Sequence, residues 1–238
     1  MLEKELSDSE KKSIIQAVQN GIREDVRDFK IENQLSSYNC IHSIKWDFIN
    51  TNLDLKLQSK RLKCKIVNRN IWELPTLYDN ITGTLYCITR KKNFFKIQNE
   101  RNKREKPHYL DAFATYNKNV ESAKHQIELF NTDKEFEEEK IDKVLDLLCE
   151  YKDKVNRFAI IVFEEENREI VTFETYLVDR YLHISSVDDW SHLITPKFDI
   201  EYTTIDKKDN LEIKIKSNYN LPINTKKKEK EEKEEKDE

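Results

Sequence analysis

The stretch FAIIVFEEENREIVTFETYLV, residues 158–178, decides the fold class. Phe158 to Phe163 is an unbroken apolar run, too short for an ordinary helix and rich in aromatic and β-branched side chains, so it reads as a strand buried on both faces. Glu165-Glu166-Asn167 marks a turn, and Ile170 to Val178 follows as the returning arm, which makes the pair an antiparallel hairpin. Further on, Asp188-Asp189-Trp190-Ser191 resembles a helix start with Trp190 as a core anchor. Phe198, Ile200 and Tyr202 then alternate, as do Leu211, Ile213 and Ile215 across the turn Lys207–Asn210, which predicts one more hairpin.

Upstream of the central hairpin, Thr132-Asp-Lys-Glu135 has the spacing of a capping box. An apolar stripe through Phe136, Ile141, Val144, Leu145, Leu148 and Tyr151 gives an acidic amphipathic helix over 133–155. Pro107 opens a helix carrying Tyr109, Leu110, Phe113, Tyr116 and Val120 at helical spacing. Asp79-Asn-Ile-Thr-Gly83 is a turn leading into the strand Thr84–Thr89. Alternation at Leu53, Leu55 and Leu57 and again at Leu62, Cys64 and Ile66 predicts a hairpin around Gln58–Arg61, with a basic exposed face. Cys40, His42, Ile44, Trp46 and Phe48 alternate with polar residues and predict another strand, with His42 on its apolar face as a core histidine. Ser7-Asp-Ser-Glu10 is a second capping box, opening a first helix with Ile14, Ile15, Val18, Ile22, Val26 and Phe29 on one side. Helices flanking runs of hairpins mean an α+β fold, a mainly antiparallel sheet built from hairpins and flanked by amphipathic helices. The expected organisation is a single domain over 1–220 and a disordered charged tail over 221–238, since KKKEKEEKEEKDE contains no apolar residue to bury.

Composition removes several chemistries. The chain has 238 residues and only two glycines, where average usage of about 7% would supply about 17, so glycine-rich phosphate loops of the Walker, dinucleotide or kinase type are excluded. There is no Gly-x-Ser-x-Gly elbow. Cys40, Cys64, Cys87 and Cys149 are widely spaced in apolar surroundings and read as buried reduced thiols; no metal and no cofactor is expected. No run approaches 18 apolar residues, so no membrane partner and a cytoplasmic location are expected.

Charge is segregated beneath a net −4. Residues 56–106 hold 14 basic and 4 acidic side chains, together with Trp72, Tyr78, Tyr86, Phe94 and Phe95. Cations neutralise phosphates and exposed aromatics stack on unpaired bases, so Lys63, Lys65, Arg69, Arg90, Lys91, Lys92, Lys96, Arg101, Lys103 and Arg104 are the candidate binding residues for nucleic acid or an acidic protein. Two enzymatic alternatives are weaker patterns. Glu212 and Lys214 share a strand face after Asp199 and Asp206, as a metal-dependent nuclease would require, and His108 at a helix start beside Asp111 has the chemistry of a general acid or base on a phosphodiester. A third reading is self-association, with the basic segment meeting the acidic helix 133–155 within one chain or in a homo-oligomer.

The order of Leu77-Tyr-Asp-Asn-Ile-Thr-Gly-Thr-Leu-Tyr86, Pro107-His-Tyr-Leu-Asp111 and Asp188-Asp-Trp-Ser191 resembles an uncharacterised protein family of Firmicutes and their phages, over roughly residues 10–195. The resemblance implies a bacterial or phage setting, such as phage–host conflict. It carries no activity or site residue onto this chain.

Overall fold

In the computed structural model, which describes residues 6–37, 39–57, 61–69, 72–121 and 134–195, Ser7 caps helix α1 (Asp8–Ile22) as its spacing predicts. Ser7 Oγ accepts the Glu10 N–H at 3.4 Å, and Glu10 Oε2 accepts the Ser7 N–H at 2.8 Å. The helix does not run on to Phe29. The Arg23 N–H is shared between the Gln19 and Asn20 carbonyls, which tightens the last turn, and α2 (Glu24–Glu32) begins afresh with Val26 buried.

The strand expected from Cys40 and the hairpin arm at Leu53–Leu57 are instead one helix, α3 (Ile41–Lys56). Its inward positions Lys45, Ile49 and Leu53 are four apart, whereas Leu55 is 74% exposed and His42 lies at the surface, not in the core. Cys40 is exposed, against the expectation of a buried thiol, while Cys87 is buried as expected. α3 crosses α1 at Gly21, where a Cβ would come within 2.7 Å of the Ile49 backbone nitrogen. Residues 58–60, the expected turn, lie outside the described residues.

Six strands form one sheet in sequence order: β1 (Leu62–Arg69), β2 (Trp72–Asp79), β3 (Thr84–Arg90), β4 (Arg157–Glu166), β5 (Glu169–Val178) and β6 (Ile184–Asp189). All neighbours are antiparallel except β3 and β4, which run parallel in the register Tyr86↔Ala159 and Ile88↔Ile161. A parallel pair needs a long crossover, and the segment between β3 and β4 carries α4 (Lys91–Asn99), α5 (Tyr109–Phe113) and α6 (Lys134–Leu148). α5 is shorter than the predicted helix and continues as a 3-10 turn, Ala114–Asn117; α6 likewise ends in a 3-10 stretch, Cys149–Lys154. The β4–β5 hairpin turns through Asn167 and Arg168, both at positive φ. Asp188 and Asp189 close strand β6 instead of opening an α-helix, though Trp190 is buried as expected and only a 3-10 turn, Ser191–Leu193, follows.

The fold is therefore α+β, with amphipathic helices on both faces of a mainly antiparallel sheet. One core lies against α1 and α3 and contains Leu77, Tyr86, Ile88, Ile161, Phe163, Phe173 and Trp190. The other lies against α4, α5 and α6 and contains Leu85, Cys87, Phe158, Ile160, Val162 and Tyr176. Consecutive residues of β3 and β4 thus enter opposite cores, which is why Phe158–Phe163 carries no polar position. Phe163, Phe173 and Trp190 stack in a row, with centroids 6.2 and 5.9 Å apart.

By Cα proximity the chain divides into two units, Met1–Ile194 and Thr195–Glu238. The hairpin predicted over 198–215, with Glu212 and Lys214, and the tail lie outside the described residues. No helix among the described residues is long and apolar enough to cross a membrane.

Candidate functional site

Residues 56–106 fold as the end of α3, strands β1 to β3, α4 and the approach to α5, so their cations are distributed over several faces. Many are held by carboxylates of the same chain. Arg61 donates from Nε and Nη2 to the two oxygens of fully buried Asp79 at 3.0 and 2.8 Å, and its Nη1 lies 3.2 Å from Glu10. Burial works against the Asp79 charge, yet this guanidinium and the hydrogen bonds from Ile81 N–H and the Thr82 hydroxyl hold its carboxyl below the usual carboxylate range. Lys91 Nζ lies 3.0 Å from Glu174 and 3.6 Å from Glu164. Burial opposes that charge too, but the two carboxylates keep the amine above its ordinary range.

Arg101 and Arg104 both reach Asp111, at 3.4 and 2.6 Å, and Asp111 is wholly buried. Lys65 lies over the Tyr151 ring at 4.5 Å. Lys63 and Lys103 are exposed, and the side chain of Arg69 lies outside the described residues. The basic segment does meet acidic residues within the chain. Its carboxylate partners include residues on α1, β2, β4, β5 and α5, and Glu137 of the acidic helix pairs with Lys140 and Arg180.

His108 is the N-cap of α5. Its Nδ1 accepts the Leu110 N–H at 3.3 Å, and its own N–H donates to Asp111 Oδ2 at 2.8 Å. Among the described residues no three of His, Cys, Asp and Glu come together as a metal-binding group. Cys64 faces the α1/α3 core, and burial pushes its thiol up to about 12, so it is not a nucleophile at neutral pH.

The cations that do share a concave surface are those at the end of β3. Lys92 and Lys96 are exposed on α4, with Asn93 between them, and face Trp46 of α3 across a hollow of about 480 Å³ floored by Thr89 and Arg90. An overlapping groove of about 610 Å³ continues past His108 and Tyr109 to Trp72, whose indole is 52% exposed. Asn93 Nδ2 donates to Thr89 Oγ1 at 3.2 Å, tying the first turn of α4 to the strand it follows. That turn contains no acidic residue, so the positive end of the helix dipole adds to the lysines.

Beneath the groove, Glu165 of β4 accepts both Lys45 Nζ of α3, at 3.0 and 2.9 Å, and Arg90 Nη2, at 3.0 Å. This shared carboxylate fixes the spacing of α3 from the start of α4. Of the sequence candidates, the groove thus unites Arg90, Lys92, Lys96 and His108, and it leaves out Lys63, Lys65, Lys91, Arg101, Lys103 and Arg104. Trp46 and Asn93 carry no local sequence signal of a site, because they meet only where the sides of helices α3 and α4 converge.

A family model described as a family of unknown function (DUF5986) matches residues 3–238. That agrees with the uncharacterised family suggested by residues 77–86, 107–111 and 188–191, and it covers more of the chain. No curated protein and no solved structure matches the chain.

Proposed function

We propose that this chain, which belongs to the DUF5986 family, is a binding protein that takes single-stranded nucleic acid along the groove between α3 and α4. One observation carries the reading: an exposed Trp72 indole and a half-buried Trp46 lie in a groove lined by Lys96, beside Glu73 and Glu100, and Lys92 lines the hollow that overlaps it at Trp46. Bases stack on exposed rings for about 1–3 kcal/mol each, and lysines release the counterions of the backbone. Paired bases offer no face to an indole, so a duplex would use the lysines alone. An acidic polypeptide would likewise engage Lys92 and Lys96 and leave the Trp72 ring without a planar partner.

The test is anisotropy titration of labelled single-stranded RNA, single-stranded DNA and duplex DNA with the full chain and with Trp72→Ala. The single strands should bind at least tenfold tighter than the duplex, and Trp72→Ala should weaken them by about 5- to 150-fold, the range that corresponds to 1–3 kcal/mol of stacking. Equal binding of duplex, or unchanged binding by Trp72→Ala, would refute the proposal.

A further inference from the structure

The groove between α3 and α4 crosses a gap in the sheet. The ladder of β2 and β3 stops at Thr76↔Cys87, because Pro75, the next residue back along β2, has no N–H with which to extend it. Beyond that point β2 keeps only β1 as a partner, as far as Trp72, and β3 keeps only β4, as far as Arg90. Trp72–Pro75 and Ile88–Arg90 are the two banks of this gap, and the groove reaches α3 on one face of the sheet and α4 and α5 on the other.

Side chains alternate along a strand. Leu74 belongs to the core against α4, α5 and α6, and Leu77 to the core against α1 and α3, so Trp72 projects to the first side and Glu73 to the second, where Trp46 packs. Each indole thus has a carboxylate on its own side of the sheet: Glu73 with Trp46, and Glu100, the C-cap of α4, with Trp72. Both carboxylates are exposed, and neither is joined to a cation or a hydrogen-bond donor among the described residues, whereas Asp79, Asp111, Glu165 and Glu174 are all paired. Glu100 also stands at the negative end of the α4 dipole, an unfavourable place for an anion.

A phosphate cannot lie against these carboxylates, because like charges at close range repel. A single strand in the groove therefore keeps its backbone beside Lys92 and Lys96 and turns base edges toward Glu73 and Glu100. A carboxylate only accepts, and it does so through two oxygens side by side. Guanine presents two parallel donors, N1–H and N2–H, and meets both oxygens at once. Cytosine and adenine set one amino donor beside a ring-nitrogen acceptor, and uracil and thymine hold their single N–H between two carbonyl oxygens, which a carboxylate repels. Resting on the single-strand reading above, we infer that the groove selects guanine: the base stacks on Trp46 or Trp72, and Glu73 or Glu100 accepts its N1–H and N2–H.

The test is anisotropy titration of the full chain and of Glu73→Gln/Glu100→Gln with labelled RNA octamers. These are all uridine, or uridine with one central guanosine, inosine, cytidine or adenosine, and the same set is made as DNA on a thymidine background. The guanosine octamer should bind the native chain about 5- to 150-fold tighter than the all-uridine one, with cytidine and adenosine between them. Inosine lacks the N2 amino group and should bind about 2- to 12-fold more weakly than guanosine, the worth of one hydrogen bond. In the double variant guanosine should come within about twofold of uridine, because an amide cannot accept both donors. The all-uridine strand should bind that variant no more weakly than the native chain, since two charges that repel its backbone are gone. Equal binding of the guanosine and uridine octamers by the native chain, inosine binding as tightly as guanosine, or an unchanged preference in the double variant would overturn the inference while leaving Trp72-dependent single-strand binding in place. No binding of any octamer would overturn both readings.

Discussion

Replacing Glu165 tests both the architecture beneath the groove and its charge. The carboxylate is 14% exposed and receives Lys45, whose side chain is 7% exposed, and Arg90, which is 35% exposed. Glu165→Ala strands the Lys45 ammonium in the interior without its two contacts at 3.0 and 2.9 Å. Breaking a buried pair from one side costs about 3–5 kcal/mol. With a urea slope of about 2 kcal/mol per molar, the midpoint should fall by about 1.5–2.5 M. Glu165→Gln keeps one oxygen acceptor and should lose roughly half as much. Adding Lys45→Met to Glu165→Gln removes the stranded charge and should recover most of the loss. Releasing Arg90 into the groove should also tighten single-strand binding by up to about fivefold, the worth of ~1 kcal/mol for a part-exposed ion pair. Urea unfolding followed by tryptophan fluorescence measures the first effect, and anisotropy titration measures the second. A Glu165→Ala midpoint within 0.3 M of the native chain would refute the reasoning, since no buried pair would then have been broken.

Three further outcomes follow from the same geometry. The Asp79 carboxyl is held below its unfolded value near about 3.9, so the stability it contributes is complete above that pH and is lost as pH falls through the lower folded value; Asp79→Asn should therefore be less stable at pH 7 and show a flatter dependence of urea midpoint between pH 5 and pH 2. Gly21→Ala should lose about 1–3 kcal/mol in thermal or urea unfolding, because its Cβ meets the Ile49 backbone where α1 crosses α3; a neutral effect would mean that the helices are farther apart. At pH 8 an alkylating reagent followed by peptide mapping should modify exposed Cys40 quickly and spare Cys64, whose thiol titrates only at about 12; comparable labelling of the two would contradict the burial of β1.

What could be read from residues alone follows from which signals are local. The hairpin over 158–178 was legible because an apolar run, a turn and a second run sit side by side, and the helix begun by Ser7 and Glu10 was legible from its cap. α3 was not, since three of its five buried positions are Lys45, Asn50 and Asn52, which break the helical apolar stripe, while Cys40 to Phe48 happen to alternate. The inward lysine is compensated by Glu165, 120 residues away, a partner that no window of sequence reveals. Strand β2 was obscured by Pro75, which is accommodated because the β2–β3 pairing begins only at Thr76. α4 has no acidic residue in its first turn and no side-chain cap, so its start carried no signal. The basic residues of the site were visible as a group, but their separation was not. Lys92 and Lys96 line hollows shared with the indoles, whereas Arg61, Arg90, Lys91, Arg101 and Arg104 are engaged by carboxylates of the chain itself.

The most direct measurement of the central claim is the salt dependence of single-strand binding for the native chain and for Lys92→Ala/Lys96→Ala. Each phosphate neutralised on a single strand contributes about −0.7 to the slope of log affinity against log salt. With Lys92 and Lys96 free at the groove and Arg90 held by Glu165, the native slope should be about −1.4, and the double variant should fall to about zero while its urea midpoint stays unchanged. Equal slopes for the two proteins, or no binding by the native chain at the lowest salt, would contradict the account.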